Sequence, residues 1–398
     1  MRRHTIKPRP GWQATVARTG LTCHTLSDGS PYWDESAYWE FSSAEIDRLE
    51  EATAEIQKLA LAAGDHILDN NRLAEMKIPP AAAVRIRETW SAEPPALYGR
   101  LDLAFDGRQI KLLEYNADTP TALVEAAVTQ WYWLEECFPG ADQFNSLHEK
   151  LVAKWKDLLP WLKQPVYFGH DGSEEDFMTI SYLRDTAQQA GHATFPIHMH
   201  DIGWEDAKAR FVDLDRQPIE SIFKLYPWEW LLHGEFGLHA LATMGSVQWV
   251  EPIWKMLWSN KALLAILWEL NPHHELLLPA FLDGPRNMKD YIRKPLFGRE
   301  GAGVTVFRNW IVEQGSESLS ETESVVYQAL APLAVADGNT AVVGSWLIDG
   351  EPGGIGIRES SGLVTTNTSS FVPHLFRQPW PHLRSPQRQL KSYFMNAS

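Results

Sequence analysis

The sequence predicts a mixed fold of the α+β or α/β class that includes a small Rossmann-like layer. Two patterns lead to this prediction. Residues 97–116 contain two apolar strands around an Asp106-Gly107 turn, which is typical of an antiparallel hairpin. After Pro165, short apolar strands alternate with helical stretches, and this alternation favours parallel strands that are joined by helices.

Composition narrows the class of protein. The 398 residues are enough for two or three domains, and the net charge of −15 argues against nonspecific binding to nucleic acid. Two cysteines, Cys23 and Cys137, cannot build a disulfide framework or a cysteine-ligated metal site. Residues 1–10 lack the apolar core of a secretory signal, and no apolar run is long enough for a membrane helix. We expect a cytoplasmic protein that binds neither nucleic acid nor membranes.

The first long helix is marked by its cap. Ser42 and Glu45 form a capping-box pattern, and apolar residues then follow at helical spacing as far as Ile67. Later elements follow from similar patterns. Helices are predicted over 121–137, 148–161, 173–191, 228–232 and 254–270, and strands over 166–169, 193–197, 219–226, 291–294, 304–307, 324–330, 340–348 and 355–358.

The hairpin carries the most informative polar side chains. Arg100 and Asp102 share a face of its first strand, and Glu114 and Asn116 share a face of its second. A two-residue loop would place Glu114 on the opposite face from Asp102. A three-residue loop, 105–107, would bring all four side chains onto one face. We predict the three-residue loop, because a slip of one residue would scatter the polar group.

This polar face has the composition of a metal site. Two carboxylates and an amide oxygen suit a Mg²⁺ ion that also touches phosphates, and two ions bridged by Glu114 would clamp a triphosphate. The alternative is a solvated polar face on an ordinary hairpin. Acidic and amide residues are poor strand formers, which favours the metal site over that alternative.

A second segment has features of phosphate binding. Lys294 ends a predicted strand and the glycine-rich loop 298–303 follows, so the backbone can approach phosphates beside a positive charge. The loop lacks the Gly-Lys-Ser/Thr order of a P-loop, and a plain hairpin turn is equally compatible. Lys261, early in a helix, and Arg358, on a strand among glycines, would each more often be surface residues when considered alone.

Taken together, these residues resemble the ATP-grasp superfamily. Asp102, Glu114 and Asn116 are similar in spacing to its metal ligands. Lys261 and Lys294 are similar to its two nucleotide lysines, and Tyr327-Gln328-Ala329-Leu330 is similar to its adenine-reading linker. The metal residues precede the lysines in this chain, which implies a permuted order.

That order is the one found in the glutathionylspermidine synthetase family, which the chain resembles from Trp12 to Phe376. The resemblance rests on residues 31–35, 99–102, 114–118, 226–229 and 355–359. It implies a permuted ATP-grasp fold with a Rossmann-like preATP-grasp domain. The expected segments are an N-terminal helical segment (1–95), an ATP-grasp part with the metal ligands (96–164), the preATP-grasp domain (165–252), an ATP-grasp part with the nucleotide lysines (253–370) and a loosely packed C-terminal tail (371–398).

The resemblance also implies roles for individual residues. Asp102, Glu114 and Asn116 would hold two Mg²⁺ ions. Arg100 would stabilise the acyl-phosphate intermediate, and Arg358 the transferred phosphoryl group. The expected ATP contacts are Lys261, Lys294, Glu300, Gly301, Gly303, Gln328 and Leu330. The expected substrate contacts are Thr119 and Thr121 for a peptide-like acid and Glu174 and Glu175 for the amine.

The implied activity is that of an ATP-dependent ligase, which joins a small peptide-like carboxylate to an amine, polyamine or other amino compound through an acyl phosphate. An amidase domain with a cysteine nucleophile is not expected in this chain. Cys23 is therefore expected to have a packing role and not a catalytic one. One alternative is an ATP-grasp scaffold that binds Mg-ATP without ligation. Another is a zinc hydrolase built on His198 and His200, which would share a strand face but find no third ligand nearby.

Overall fold

Three main sheets organise the chain in the computed structural model, which describes residues 1–315 and 324–377. The helices in this part are α1 Trp12–Arg18, α2 Ser43–Asp69, α3 Pro80–Ala92, α4 Gln130–Cys137, α5 Leu147–Leu158, α6 Glu174–Gln189, α7 Trp228–His233, α8 Gly237–Ala242, α9 Met256–Ser259 and α10 Ala262–Leu270. The strands are β1 Arg2–Thr5, β2 Ala37–Ser42, β3 Tyr98–Phe105, β4 Ile110–Asn116, β5 Val166–His170, β6 Thr194–His198, β7 Gly203–Glu205, β8 Arg210–Val212, β9 Ser221–Leu225, β10 Gln248–Val250, β11 Ala280–Phe281, β12 Tyr291–Pro295, β13 Thr305–Arg308, β14 Ile311–Gln314, β15 Val325–Ala329, β16 Ala334–Ala336, β17 Asn339–Ile348, β18 Glu351–Ser360, β19 Ser370–Val372 and β20 His374–Arg377.

The largest sheet is antiparallel, in the order β19-β18-β17-β3-β4, with β16 added beside β17. Helix α2 packs against it and begins at the predicted capping box of Ser42 and Glu45. Two buried polar contacts hold the helix to the sheet. Thr53 and Ser345 share a hydrogen bond of 2.6 Å between their hydroxyls, and Tyr115 donates to Gln57.

A second antiparallel sheet, in the order β11-β15-β12-β13-β14, contains the strand before the glycine-rich loop. Helix α10 contacts its β15 and β11 strands. Hydrogen bonds join this sheet and the segment before β11 to strand β4. In one of them, the Leu112 amide donates to the carbonyl of Leu276 at 2.8 Å. The two antiparallel sheets therefore lie close enough to form the walls of one cleft.

The third sheet confirms the expected parallel layer. Its order is β10-β9-β5-β6, and every neighbouring pair is parallel. Helix α6 connects β5 to β6 and packs on both strands. A buried ion pair of 2.5 Å between Lys224 on β9 and Asp118, just after β4, ties this layer to the largest sheet.

The predicted three-residue hairpin loop is wrong. The last pair is Phe105 with Ile110, so the loop has four residues, 106–109, whose Asp106 side chain accepts from two backbone amides. A regular ladder from that loop would place Leu113 opposite Asp102. A bulge between Asp102 and Leu103 shifts the register by one residue, so the four polar side chains still share one face.

Two further expectations need correction. The predicted helix over 254–270 is broken between α9 and α10, where the Asn260 side chain donates to the Met76 carbonyl at 2.7 Å. The tail is not loosely packed up to residue 377, because Phe371 and Leu375 are buried and β20 pairs with β2. Residues 378–398 lie outside the described part. Among the described helices, none combines the length and apolar character that crossing a membrane requires.

Candidate nucleotide and metal site

A cavity lies between the two antiparallel sheets, with Val342 on one wall and Ile292 on the other. Predicted site residues line it from both sheets, from the loop between β12 and β13, from the break between α9 and α10 and from the end of β15. They are Asp102, Glu114, Lys261, Lys294, Glu300, Gly301, Gln328 and Leu330. Gly303 instead lines a neighbouring groove on the other side of the same loop.

The predicted metal ligands meet at one end of this cavity. Asp102 and Glu114 are direct cross-strand partners, and Asn116 is the partner of Arg100. The Asn116 amide donates to Asp102 Oδ2 at 3.2 Å and to Glu114 Oε1 at 3.1 Å. If the amide turned over, its oxygen would face the same point as the carboxylates. The donor set therefore fits a Mg²⁺ ion, which would take its remaining ligands from phosphate and water oxygens.

Cations surround these carboxylates. Arg100 donates to both oxygens of Asp102 at 2.7 and 3.2 Å, and Lys261 lies 3.2 Å from Glu114. Burial opposes the ionisation of Glu114, but Lys261 and Lys294 outweigh it and lower its pKa. Burial raises the pKa of Asp102 despite the opposing effect of Arg100. The site thus keeps Glu114 anionic, which is the form in which a carboxylate can bind a cation.

Lys294 is the most enclosed cation of the cavity. Its ammonium group donates to the Leu113 carbonyl and to Gln328 Oε1, both at 2.9 Å. Burial lowers the pKa of Lys294 to about 8, although Glu114 partly offsets that effect. Gln328 is held in turn, because its amide donates to the Leu112 carbonyl at 3.0 Å. Leu330 follows at the end of β15 on the apolar wall.

Lys261 connects the cavity to the glycine-rich loop. It occupies the break between α9 and α10, where its amide donates to the Leu296 carbonyl. Its ammonium group donates to the Gly298 carbonyl at 2.6 Å. Gly301 has a φ of +74°, and a Cβ atom there would lie 2.8 Å from the Thr365 carbonyl. The loop can approach residues 363–365 so closely only because position 301 is glycine.

The two predicted catalytic arginines lie on strands β3 and β18 of the largest sheet, with β17 between them. Arg100 bonds Asp102 and also donates to the Thr121 carbonyl at 2.7 Å. Arg358 lies on β18 and donates to the carbonyls of Ser369 and Thr366 at 3.1 and 2.7 Å. The cavity-lining Thr365 is the neighbour of Thr366, so Arg358 is anchored beside the cavity wall.

Sequence reasoning assigned no role to Arg299, which joins the loop to the segment after β4. Its guanidinium donates to the hydroxyl of Thr119 at 2.8 Å and lies over the ring of Trp230. In the same segment, the Thr121 carbonyl accepts a hydrogen bond from Arg100. Arg299 lies between Gly298 and Glu300 in the glycine-rich loop. This position in the sequence could have indicated that Arg299 belongs to the site.

Glu174 and Glu175 begin helix α6, beside Cys23 and the buried Glu125. Burial and a hydrogen bond to Glu174 raise the pKa of Cys23 to about 12, with further effects from Glu175 and Glu125. That pKa is far above the range of a reactive thiolate. Neither glutamate lines the cavity, although the charge of Glu175 acts on the buried Tyr32 and Glu125.

The zinc alternative is not supported by the structure. His198 ends β6, and His200 lies in a short 3₁₀ turn; their rings are 5.2 Å apart, with His170 4.4 Å from His198. Across residues 1–315 and 324–377, however, no three His, Cys, Asp or Glu side chains are arranged to hold a metal ion.

Comparison with known proteins identifies the family of the chain. The family model described as glutathionylspermidine synthase preATP-grasp matches residues 3–377. A Haemophilus influenzae protein that carries the provisional name acid–amine ligase is 40% identical, over 94% of this chain and 100% of its own length. The bifunctional glutathionylspermidine synthetase/amidase of Escherichia coli is 27% identical, and the match spans 85% of this chain and 59% of that protein.

One further relative and one solved structure of similar fold widen the comparison. The trypanothione synthetase of Crithidia fasciculata is 27% identical, over 77% of this chain and 51% of that protein. A glutathione synthetase-like effector of Globodera pallida has a similar fold, with a TM-score of 0.54 at 9% identity, over 93% of this chain and 98% of that one. The family match covers nearly the whole chain, and the chain therefore belongs to the glutathionylspermidine synthase family.

Proposed function

We propose that the chain is an ATP-dependent carboxylate–amine ligase with a permuted ATP-grasp fold. The observation that carries the proposal is the convergence of two carboxylates, two lysines and a glycine-rich loop on one cavity between two antiparallel sheets. The names of the relatives support ligase chemistry. Segments 96–164 and 253–370 would form the nucleotide site, and 165–252 would form the preATP-grasp domain, between segment 1–95 and the tail 371–398.

ATP would lie in the cavity with its adenine against Gln328 and Leu330 and its phosphates towards Lys261, Lys294 and the loop. The cavity holds about 90 Å³, below the several hundred Å³ of typical small-molecule sites. We therefore expect the loop carrying Glu300, Gly301 and Gly303 to move outward when ATP enters. Mg²⁺ held by Asp102, Glu114 and Asn116 would supply charge neutralisation at the phosphates.

The reaction would proceed in two steps. An oxygen of the acid's carboxylate attacks the γ-phosphorus of ATP, and ADP leaves with the electrons of the broken P–O bond. The amine nitrogen then attacks the acyl carbon, phosphate leaves with the former carboxylate oxygen, and the amine loses a proton. Arg358 would stabilise charge on the phosphoryl group in the first step, and Arg100 would stabilise the acyl phosphate and the tetrahedral intermediate.

The substrates would approach from the parallel layer. Thr119 and Thr121 lie between the metal ligands and that layer and would contact a peptide-like acid, while Glu174 and Glu175 would attract a cationic amine. The name of the Escherichia coli relative makes glutathione and spermidine the first pair to test.

Phosphate release tests this proposal. Purified protein with Mg-ATP is supplied with carboxylate and amine pairs, led by glutathione and spermidine, and Asp102→Asn is measured alongside. Pair-dependent release that is lost in the variant supports the ligase. Tight Mg-ATP binding without release for any pair would favour the non-ligating scaffold, and no Mg-ATP binding would contradict the nucleotide site itself.

A further inference from the structure

Arg358 rests on a side chain from the opposite end of the chain. The centre of its guanidinium lies 5.3 Å from the centroid of the Tyr32 ring. Tyr32 is buried, and its hydroxyl donates to Glu125 Oε1 at 2.7 Å. The contact therefore runs from Arg358 to Tyr32 and on to Glu125, and it joins three segments that are far apart in sequence.

The other contacts of Arg358 leave one edge available. Nε donates to the Ser369 carbonyl, and Nη2 donates to the Thr366 carbonyl. Nη1 donates to no group within residues 1–315 and 324–377. Two carbonyls fix the direction of the guanidinium plane, and the Tyr32 ring supports its face. The remaining N–H groups can point towards a phosphoryl oxygen, where the fork geometry of arginine is useful.

Tyr32 is itself fixed to the strands that carry Arg358. The Phe371 amide donates to the Tyr32 carbonyl at 2.6 Å, and Phe371 is the cross-strand partner of Arg358. The backbone amide of Asp34 donates in return to the Phe371 carbonyl at 2.9 Å. The backbone around Tyr32 is thus held beside β19 through a parallel bridge between Trp33 and Phe371, which fixes the Cα position from which the ring extends towards Arg358.

Glu125 sets the angle of the Tyr32 ring from the other side. It is only 2% exposed and begins the π-helical stretch Glu125–Thr129, a kind of helix that occurs often at functional sites. The next residue, Gln130, donates to the Ile355 carbonyl at 2.8 Å. This bond secures the stretch to β18, three residues before Arg358.

We propose that Tyr32 and Glu125 are positioning residues for Arg358 in phosphoryl transfer. The inference rests on the proposed ligase function and adds two residues to it. Tyr32 holds the guanidinium face, and the hydroxyl bond to the buried carboxylate keeps the ring from tilting. A small displacement of a charged catalytic group can slow a reaction by about 100-fold, although the group itself is present.

The test compares two tyrosine hydroxyls that donate to carboxylates at similar distances, 2.7 and 2.8 Å. Tyr32→Phe removes the bond to Glu125, and Tyr167→Phe removes a bond of 2.8 Å to Asp213 in the parallel layer. We expect Tyr32→Phe to lower kcat by roughly 10- to 100-fold with an unchanged KM for ATP, because Arg358 acts in the transition state. Tyr167→Phe should leave kcat within about twofold of the wild type.

A double-mutant cycle separates positioning from general loosening of the fold. In an Arg358→Lys background, Tyr32→Phe should have little further effect, because both changes remove the same interaction. Glu125→Gln keeps an acceptor for the hydroxyl and should retain most of kcat, whereas Glu125→Ala should match Tyr32→Phe. Additive effects in the cycle, or equal kcat for Tyr32→Phe and Tyr167→Phe, would overturn this inference alone. Absence of pair-dependent turnover in the wild type would overturn the ligase proposal and this inference together.

Discussion

Asp102 and Glu114 lie directly opposite each other on antiparallel strands only because the hairpin contains a bulge. The bulge leaves Leu113 without a cross-strand partner, and the Leu113 carbonyl accepts a hydrogen bond from Lys294 at 2.9 Å. One irregularity therefore aligns the two carboxylates and also provides the carbonyl that binds the buried Lys294. Bulges next to sites that bind ligands commonly re-aim side chains in this way.

The carboxylate pair predicts a change in metal dependence. Glu114→Gln removes the negative charge of Glu114, whose ionised form is stabilised by Lys261 and Lys294. We expect the Mg²⁺ concentration for half-maximal phosphate release to rise by at least 10- to 100-fold, on the order of the losses seen when groups around metal sites are removed. Glu313→Gln, in an exposed ion pair with Arg308, is the control. An unchanged Mg²⁺ requirement in Glu114→Gln would argue against a metal at this position.

Lys294 should contribute to ATP affinity. Lys294→Met preserves much of the side-chain volume but removes the ammonium group that lies among Leu113, Gln328 and Glu114. A lost charge-assisted bond costs about 1.5–3 kcal/mol, so the Kd for ATP, measured by calorimetry, should rise roughly 10- to 100-fold. The exposed Lys208→Met, which loses only a surface pair with Glu205, should bind as the wild type does. Equal affinities in the two variants would exclude Lys294 from the nucleotide site.

The buried Lys224–Asp118 pair should be important for stability. Lys224 is fully buried, and Asp118 also accepts a bond of 2.9 Å from the Trp228 amide. Lys224→Met leaves a buried carboxylate without its counter-ion, which costs about 3–5 kcal/mol in the free energy of unfolding. Lys163→Met breaks an exposed pair with Glu220 and should cost less than about 1 kcal/mol. Adding Asp118→Asn to Lys224→Met should recover part of the loss in urea unfolding. If Lys224→Met lowered the free energy of unfolding as little as Lys163→Met does, the buried pair would not be important for stability.

His374 predicts a pH-dependent loss of stability. It is completely buried, its Nδ1–H donates to Gln130 Oε1, and its Nε2 has no partner within residues 1–315 and 324–377. Burial lowers the pKa of His374 to about 3. Between pH 6.5 and 3 the unfolded chain binds the proton and the folded chain does not, so stability falls as the pH decreases.

The slope from His374 alone should approach 1.4 kcal/mol per pH unit in the lower part of that window. His374→Gln, which cannot be protonated, should remove this component from the difference between unfolding curves measured at pH 7 and pH 5. Parallel pH dependences for the variant and the wild type would show that His374 does not titrate on unfolding.

Local signals predicted the elements that depend on local chemistry. Ser42 and Glu45 predicted the start of α2, and the alternation of short strands and helices after Pro165 predicted the parallel layer. The shared face of Asp102 and Glu114 was also predicted, but for the wrong reason. The turn residues indicated a short loop, whereas Asp106 builds a four-residue loop through its own side-chain bonds, and the bulge then restores the register.

Long-range contacts determine the features that the sequence could not show. Lys261 looks like any helical lysine, and its position in the cavity depends on the break at Asn260, whose side chain bonds the Met76 carbonyl. Tyr32 and Glu125 are 93 residues apart in the sequence and meet only in the folded chain. No spacing rule links such residues, so only their bonds in the folded chain connect them to Arg358.

Oxygen transfer provides the most direct test of the proposed mechanism. The acid of a productive pair is labelled with ¹⁸O in its carboxylate and turned over with unlabelled ATP, Mg²⁺ and amine. The released phosphate is then analysed by mass spectrometry. Attack of the carboxylate on the γ-phosphorus predicts one ¹⁸O atom in each phosphate and one in the amide product. Phosphate that forms without ¹⁸O would contradict the acyl phosphate and would require a different route from ATP to product.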